Sequence, residues 1–153
     1  MTSSMKLKFE KGSYVIHGPQ ALEMLKAHWA ETNEESYGSS LDHCDDYFTS
    51  MEKIGALFVV VGLTDKEELK AYSFGIKMGH PMCKGVYTGF VQGIYIHPEY
   101  RGQGKDFISY IADFLEKRDC SRIEFSTADN NKLVSCLEGM GFHTSDRTLS
   151  RRI

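Results

Sequence analysis

Residue chemistry in this chain concentrates at Arg101-Gly102-Gln103-Gly104-Lys105, directly after the run Ile94-Tyr95-Ile96-His97-Pro98-Glu99-Tyr100. The apolar run reads as a buried strand ending at Pro98. Two glycines then let the main chain come close to a ligand, and a helix opening near Gln103 aims its unpaired amides and positive dipole end at the same point. That combination makes an anion site, most often for a phosphate. A tight turn with no ligand would explain Gly-x-Gly alone equally well. The order apolar strand, His-Pro-Glu-Tyr, Arg-Gly-Gln-Gly is what gives the stretch specificity. His80-Pro81-Met82-Cys83 offers two soft metal ligands, too few for a site, so no metal centre is expected.

The elements needed to hold that turn follow from periodicity. Residues 5–11 alternate loosely as a first strand. Gly18-Pro19 predicts a helix start, followed by Leu22, Leu25 and Trp29 at helical spacing and an end before Asn33. Asp42 is the expected N-cap of a second helix, with Cys44, Tyr47, Phe48 and Met51 on one face. Ala56–Val61 reads as a buried strand, 69–78 as its antiparallel partner and 86–96 as the next. In that last strand Gly89 and Gly93 point to a bulge or a close backbone approach. Apolar residues at 107, 108, 111, 114 and 115 draw the stripe of a sheet-packed helix over 103–118. A strand over 122–127 follows, then a short helix capped by Asp129-Asn130 and ended by Gly141. The tail 142–153 is expected to return as one or two strands. The fold class is α+β: one domain over 1–153, a mixed, mostly antiparallel sheet flanked by about four helices.

Composition bounds the function. The 153 residues suffice for one domain with a core, and 41% hydrophobic and 25% charged residues are ordinary for a globular protein. A net charge of −3 argues against nucleic acid as the main partner. No apolar run approaches a membrane span or a signal peptide, so no membrane partner is expected. Cys44, Cys83, Cys120 and Cys136 are scattered without Cys-x-x-Cys, which points to reduced thiols in a cytoplasm.

The strand, the His-Pro-Glu-Tyr step and the Arg-Gly-Gln-Gly turn together resemble the coenzyme A-binding core of the GNAT N-acetyltransferase superfamily. The order of elements is similar from end to end. Small phage- and prophage-borne members are the most similar, through His28-Trp29-Ala30-Glu31, Tyr95-Ile96-His97-Pro98 and Arg151-Arg152-Ile153. The resemblance implies acetyl-CoA as co-substrate, with the main chain of Ile94, Tyr95 and Ile96 holding the pantetheine arm. Arg101, Gly102, Gln103, Gly104 and Lys105 would take the diphosphate, and Asn130, ahead of the last helix, joins the cofactor-binding set.

Three positions depart from the family pattern. Asp106 stands where glycine or alanine is usual. Leu137 stands where a tyrosine protonates the departing thiolate, leaving Cys136, Ser135 or water as donor, or unaided release. Gln92 occupies the place of a carboxylate base; it can position water or an amide but cannot take a proton at pH 7. Gln92 and Cys136 are therefore the catalytic candidates. The implied function is direct acetyl transfer to a primary amine of a small molecule or protein; the alternative is a GNAT-fold binding module, phage- or virion-associated or partner-binding, with weak or no catalysis. Six acids between Glu31 and Asp46, with no Lys or Arg among them, favour a cationic acceptor if they border the site, and are a solvated loop if they do not. A homodimer is compatible with the resemblance.

Overall fold

The computed structural model describes residues 6–32, 42–127, 132–151 and 153. Among these residues the frame is a five-stranded sheet with the strands side by side in chain order. These are β1 (Lys8–Lys11), β2 (Leu57–Leu63), β3 (Leu69–His80), β4 (Cys83–Ile96) and β5 (Cys120–Phe125). The first four pair antiparallel and β5 lies parallel to β4. Helices α1 (Tyr14–Thr32) and α2 (Asp45–Lys53) fill the β1–β2 connection, α3 (Gly104–Glu116) crosses from β4 to β5, and α4 (Lys132–Gly139) follows β5. This is the expected α+β class, with four α-helices among the described residues.

β2 reads as an unbroken apolar run because it is covered on both faces. On one face α3 lays Phe107, Ile111 and Leu115, all fully buried, against Phe58, Val60, Ala71, Val91 and Ile96. On the other, Ala21 and Met24 of α1 pack on Val61, Leu63 and Leu69. The glycines of β4 mark close approaches, as expected. A Cβ on Gly89 would stand 2.7 Å from Leu115 Cδ1, and one on Gly93 would run into the Phe74 ring. The bulge itself falls at Gln92: Phe74 pairs with Gly93 and Gly75 with Val91, leaving Gln92 as the extra residue.

Several boundaries differ from expectation, each for a physical reason. α1 begins at Tyr14, and Pro19 lies inside it. Its first turn is held from another element, since the Glu52 carboxylate accepts the amides of Tyr14 (3.1 Å) and Val15 (3.3 Å). That external cap lets the helix start before the Gly-Pro pair. α2 starts at Asp45 and not just after Asp42; Cys44 is its N-cap, without a side-chain cap bond, while Asp45 and Asp46 supply the favourable charge in the first turn. β5 begins two residues early, at Cys120. The tail forms no strand: residues 142–151 and 153 carry no regular secondary structure. After Phe142 its apolar side chains are Leu149 and Ile153, both exposed, so it has no alternating face to bury. The expected Asp129-Asn130 cap lies outside the described residues.

Candidate active site

The site is built where β4 loses one of its neighbours. Pairing with β5 stops at Val91 opposite Phe125, whereas pairing with β3 runs on to Ile96 opposite Ala71. His97 N–H donates to Lys70 O at 2.8 Å, which fixes the sidedness of the strand. Counting back by alternation, the main-chain groups of Tyr95 and Gly93 face β3, and those of Ile94 and Ile96 face away. Ile96 O is accordingly taken from the far side by Arg101 Nε at 3.0 Å. Among the described residues no strand meets the remaining groups, the N–H and C=O of Ile94 and the N–H of Ile96. The bulge also resets the side-chain alternation. Val91, Ile94 and Ile96 all join the α3 core, and Tyr95 is turned to the α1 face, where it stacks on His28 with centroids 5.2 Å apart.

Directly beyond Ile96 the chain makes a 3-10 helix over Pro98–Gln103 that runs into α3. His97 Nδ1 accepts the Glu99 amide at 3.4 Å, and Tyr100 is buried beneath the turn. The turn being helical, the Gly104 amide donates to Arg101 O, so the expected set of unpaired amides is shorter by one. Gln103 spends its side chain on the Leu7 amide at 2.9 Å and gives α3 no side-chain cap. The glycines are not needed for conformation here, since Gly104 sits at φ −58°. Nor are they needed for packing: a Cβ on Gly102 meets nothing within 4 Å, and one on Gly104 only Ile96 Cδ1 at 3.9 Å. They leave bare main chain beside the free edge of β4, with Lys105 and Asp106 exposed on the first turn of α3. Bare main chain at a helix start, next to unpaired strand amides, is what a diphosphate and its pantetheine arm would require. Arg101 caps the end of that edge, its guanidinium 5.4 Å over the Tyr95 ring.

On the α1 face, Gln92 is exposed and its Oε1 accepts the Tyr47 hydroxyl at 3.4 Å. Behind it a cavity of about 490 Å³ opens between α1, α2, β2 and β3, with Leu22, Leu25, Phe48, Val61, Tyr72 and Phe74 among its walls. The Tyr72 hydroxyl lies 2.7 Å from His28 Nδ1, and burial drives its pKa far above that of an ordinary phenol, keeping the proton on. At the rim Tyr14 donates to Asp45 Oδ1 at 2.6 Å; burial first, then the Asp45 carboxylate, push the Tyr14 phenol up to about 12. Sequence reasoning missed Tyr14, His28 and Tyr72 as site residues, because at helical or strand spacing they look like any half-polar core face.

The remaining candidates are more dispersed. Leu137 is buried on α4, and its carbonyl accepts the Phe142 amide at 3.0 Å where Gly141, at φ 94°, closes the helix as expected. Cys136 is half-buried on the same helix, and no hydrogen bond among the described residues joins it to Gln92. Asn130 lies outside the described residues, as do Glu34 and Glu35 of the acidic stretch. Among the described residues no three His, Cys, Asp or Glu side chains group as a metal site, and no helix is long and apolar enough to cross a membrane.

Comparison with curated proteins finds no match. Solved structures do match over nearly their whole length. One is a ribosomal-protein-alanine N-acetyltransferase from Brucella melitensis biovar Abortus 2308, 19% identical, with a TM-score of 0.72 over 97% of this chain and 99% of that one. Another is an aminoglycoside acetyltransferase from an uncultured soil metagenomic sample, in complex with sisomicin, 10% identical, with a TM-score of 0.71 over 96% and 94%. A third is an aminoglycoside N-acetyltransferase in complex with CoA, 15% identical, with a TM-score of 0.68 over 97% and 95%. At these identities the likeness is one of fold. The sequence match is to the model of the acetyltransferase (GNAT) family and takes in residues 22–142, from α1 through the glycine turn to the end of α4. A splayed β4, a glycine turn at the start of α3 and a family model covering most of the sequence agree: this chain belongs to the GNAT acetyltransferase family.

Proposed function

We propose that the chain is an acetyl-CoA-dependent N-acetyltransferase, acting as one domain in a cytoplasm and moving the acetyl group directly to a primary amine. The observation that carries this reading is the end of β4–β5 pairing at Val91, which leaves the Ile94 and Ile96 amides pointing at an edge beside the bare glycine turn. Acetyl-CoA supplies an activated acyl carbon: the amine nitrogen bonds to it, the C–S bond breaks, and the thiol departs with the proton the amine gives up. The chain's own part is mostly positioning. The Ile94 and Ile96 amides hold the pantetheine arm and polarise the carbonyl, while Gly102–Lys105 holds the diphosphate against the dipole of α3. Gln92, fixed by Tyr47, orients the amine or its water without taking the proton.

Ligand binding to the folded state alone raises stability by ~2.7 kcal/mol at ~100 times its dissociation constant. Thermal unfolding with CoA and acetyl-CoA therefore tests the reading, together with Gly104→Glu. That variant should fold, since a Cβ there meets only Ile96 Cδ1 at an ordinary 3.9 Å, and should lose CoA binding through bulk and like charge. No stabilisation by millimolar CoA, or full affinity in Gly104→Glu, would overturn the assignment. Buried Leu137, standing in place of a proton donor, favours a second reading: a phage-type binding module that holds CoA without turnover. Stabilisation without thiol release across an amine panel would select it.

A further inference from the structure

We infer that the acceptor is a primary monoamine with an apolar body of arylalkyl size, seated in the cavity between α1, α2 and the sheet; this rests on the transfer reading above. At about 490 Å³ the cavity is of small-ligand size. Its walls are aliphatic and aromatic, with Leu22 and Leu25 on one side, Phe48 on another and Val59 and Val61 as the floor. Among the described lining residues there is one carboxylate, Asp45, and no Lys or Arg. That carboxylate already accepts the Tyr14 hydroxyl at 2.6 Å. A polycation would have to leave ammonium groups against hydrocarbon, which is heavily penalised. A single amine on an apolar body would not.

The cavity also shares one wall, Phe74, with the proposed reaction centre. Phe74 is one of its walls, pairs with Gly93 across the sheet, and closes over that glycine. Next to Gly93 stands the bulged Gln92, tied to Tyr47 of α2, and then Ile94, whose free main chain would hold the thioester. An amine whose body fills the cavity would have to extend past the Phe74 side chain to bring its nitrogen to the bulge. Of the acidic stretch, Asp45 is the one carboxylate among the described lining residues.

The test uses 2-phenylethylamine and spermidine as probes. Thiol release from acetyl-CoA is followed with each, and equilibrium binding of each amine is measured separately without acetyl-CoA. The KM for 2-phenylethylamine should be at least tenfold below that for spermidine. Leu22→Trp and Thr49→Phe fill the cavity from α1 and α2 respectively. Each should weaken 2-phenylethylamine binding at least tenfold while acetyl-CoA affinity, which also reports that the variant is folded, stays unchanged. A preference for spermidine, binding of neither amine, or folded variants that bind 2-phenylethylamine as well as the parent would overturn the inference. Cavity-dependent binding of 2-phenylethylamine with no thiol release would support the assigned ligand and overturn the transfer reading instead.

Discussion

The two faces of the sheet are packed to different ends. Under α3 the core is closed: Phe107, Ile111 and Leu115 are fully buried, and Leu115 presses so near β4 that a Cβ at position 89 would have to displace its side chain. Under α1 and α2 a cavity of about 490 Å³ remains, and polar groups reach into or around it in bonded pairs, His28 with Tyr72 and Tyr14 with Asp45. The α3 face supplies stability and fixes the strand that would present the thioester. The α1 face gives up packing and keeps polar side chains beside open space. Close packing and open space are thus divided between opposite surfaces of the same strands.

The contrast is most open to attack by truncation. Phe107→Ala should cost ~3–5 kcal/mol in urea unfolding, through lost burial plus the void left behind. Leu22→Ala, beside space that is already empty, should cost less than ~1 kcal/mol. Equal losses would mean that the α1 face is as tightly packed as the other. A smaller effect separates two glycines. Gly89→Ala forces a methyl onto Leu115 and should cost ~1–3 kcal/mol, whereas Gly102→Ala should stay within ~0.5 kcal/mol in stability.

The smallest effect is alkaline. Tyr14 and Tyr72, both on the cavity face, hold their protons more tightly folded than unfolded. Their contribution is complete below the unfolded value of 10.0 and is lost as pH rises through the folded values, about 12 for Tyr14 and higher for Tyr72. For Tyr72 the loss at pH 11 should be no more than ~1.4 kcal/mol, one pH unit's worth. Urea midpoints measured from pH 9 to 11 should fall less steeply in Tyr72→Phe than in the parent. An unchanged slope would remove that phenol from the account of the cavity face.

Legibility in the sequence followed the range of the interactions. The stripe at 107, 108, 111 and 115, the apolar run of β2 and the Gly141 helix end are local patterns, and all three were readable. The glycine turn was readable too, down to the helix opening at Gln103. What escaped depends on partners distant in the chain. α1 starts early because Glu52, 38 residues from Tyr14, caps it. Gln103 gives α3 no side-chain cap while its Oε1 accepts the amide of Leu7, 96 residues off. The bulge was announced by glycines at 89 and 93, yet it falls on Gln92, since register is a property of the pair and not of one strand. The tail was expected to pair by position in the chain alone, and its polar residues gave it nothing to pair for.

The chain-order sheet has a consequence for how the molecule assembles. β2–β3 and β3–β4 are hairpins between adjacent segments and can close early. β5 cannot: a parallel neighbour requires the whole crossover through the 3-10 helix and α3, and so carries a larger loop-closure entropy. The bare edge of β4 and the glycine turn beside it lie inside that crossover. They come into register only when α3 docks and β5 stops short at Val91. Occupation of the site would then act on a contact made late, slowing unfolding far more than it hastens folding.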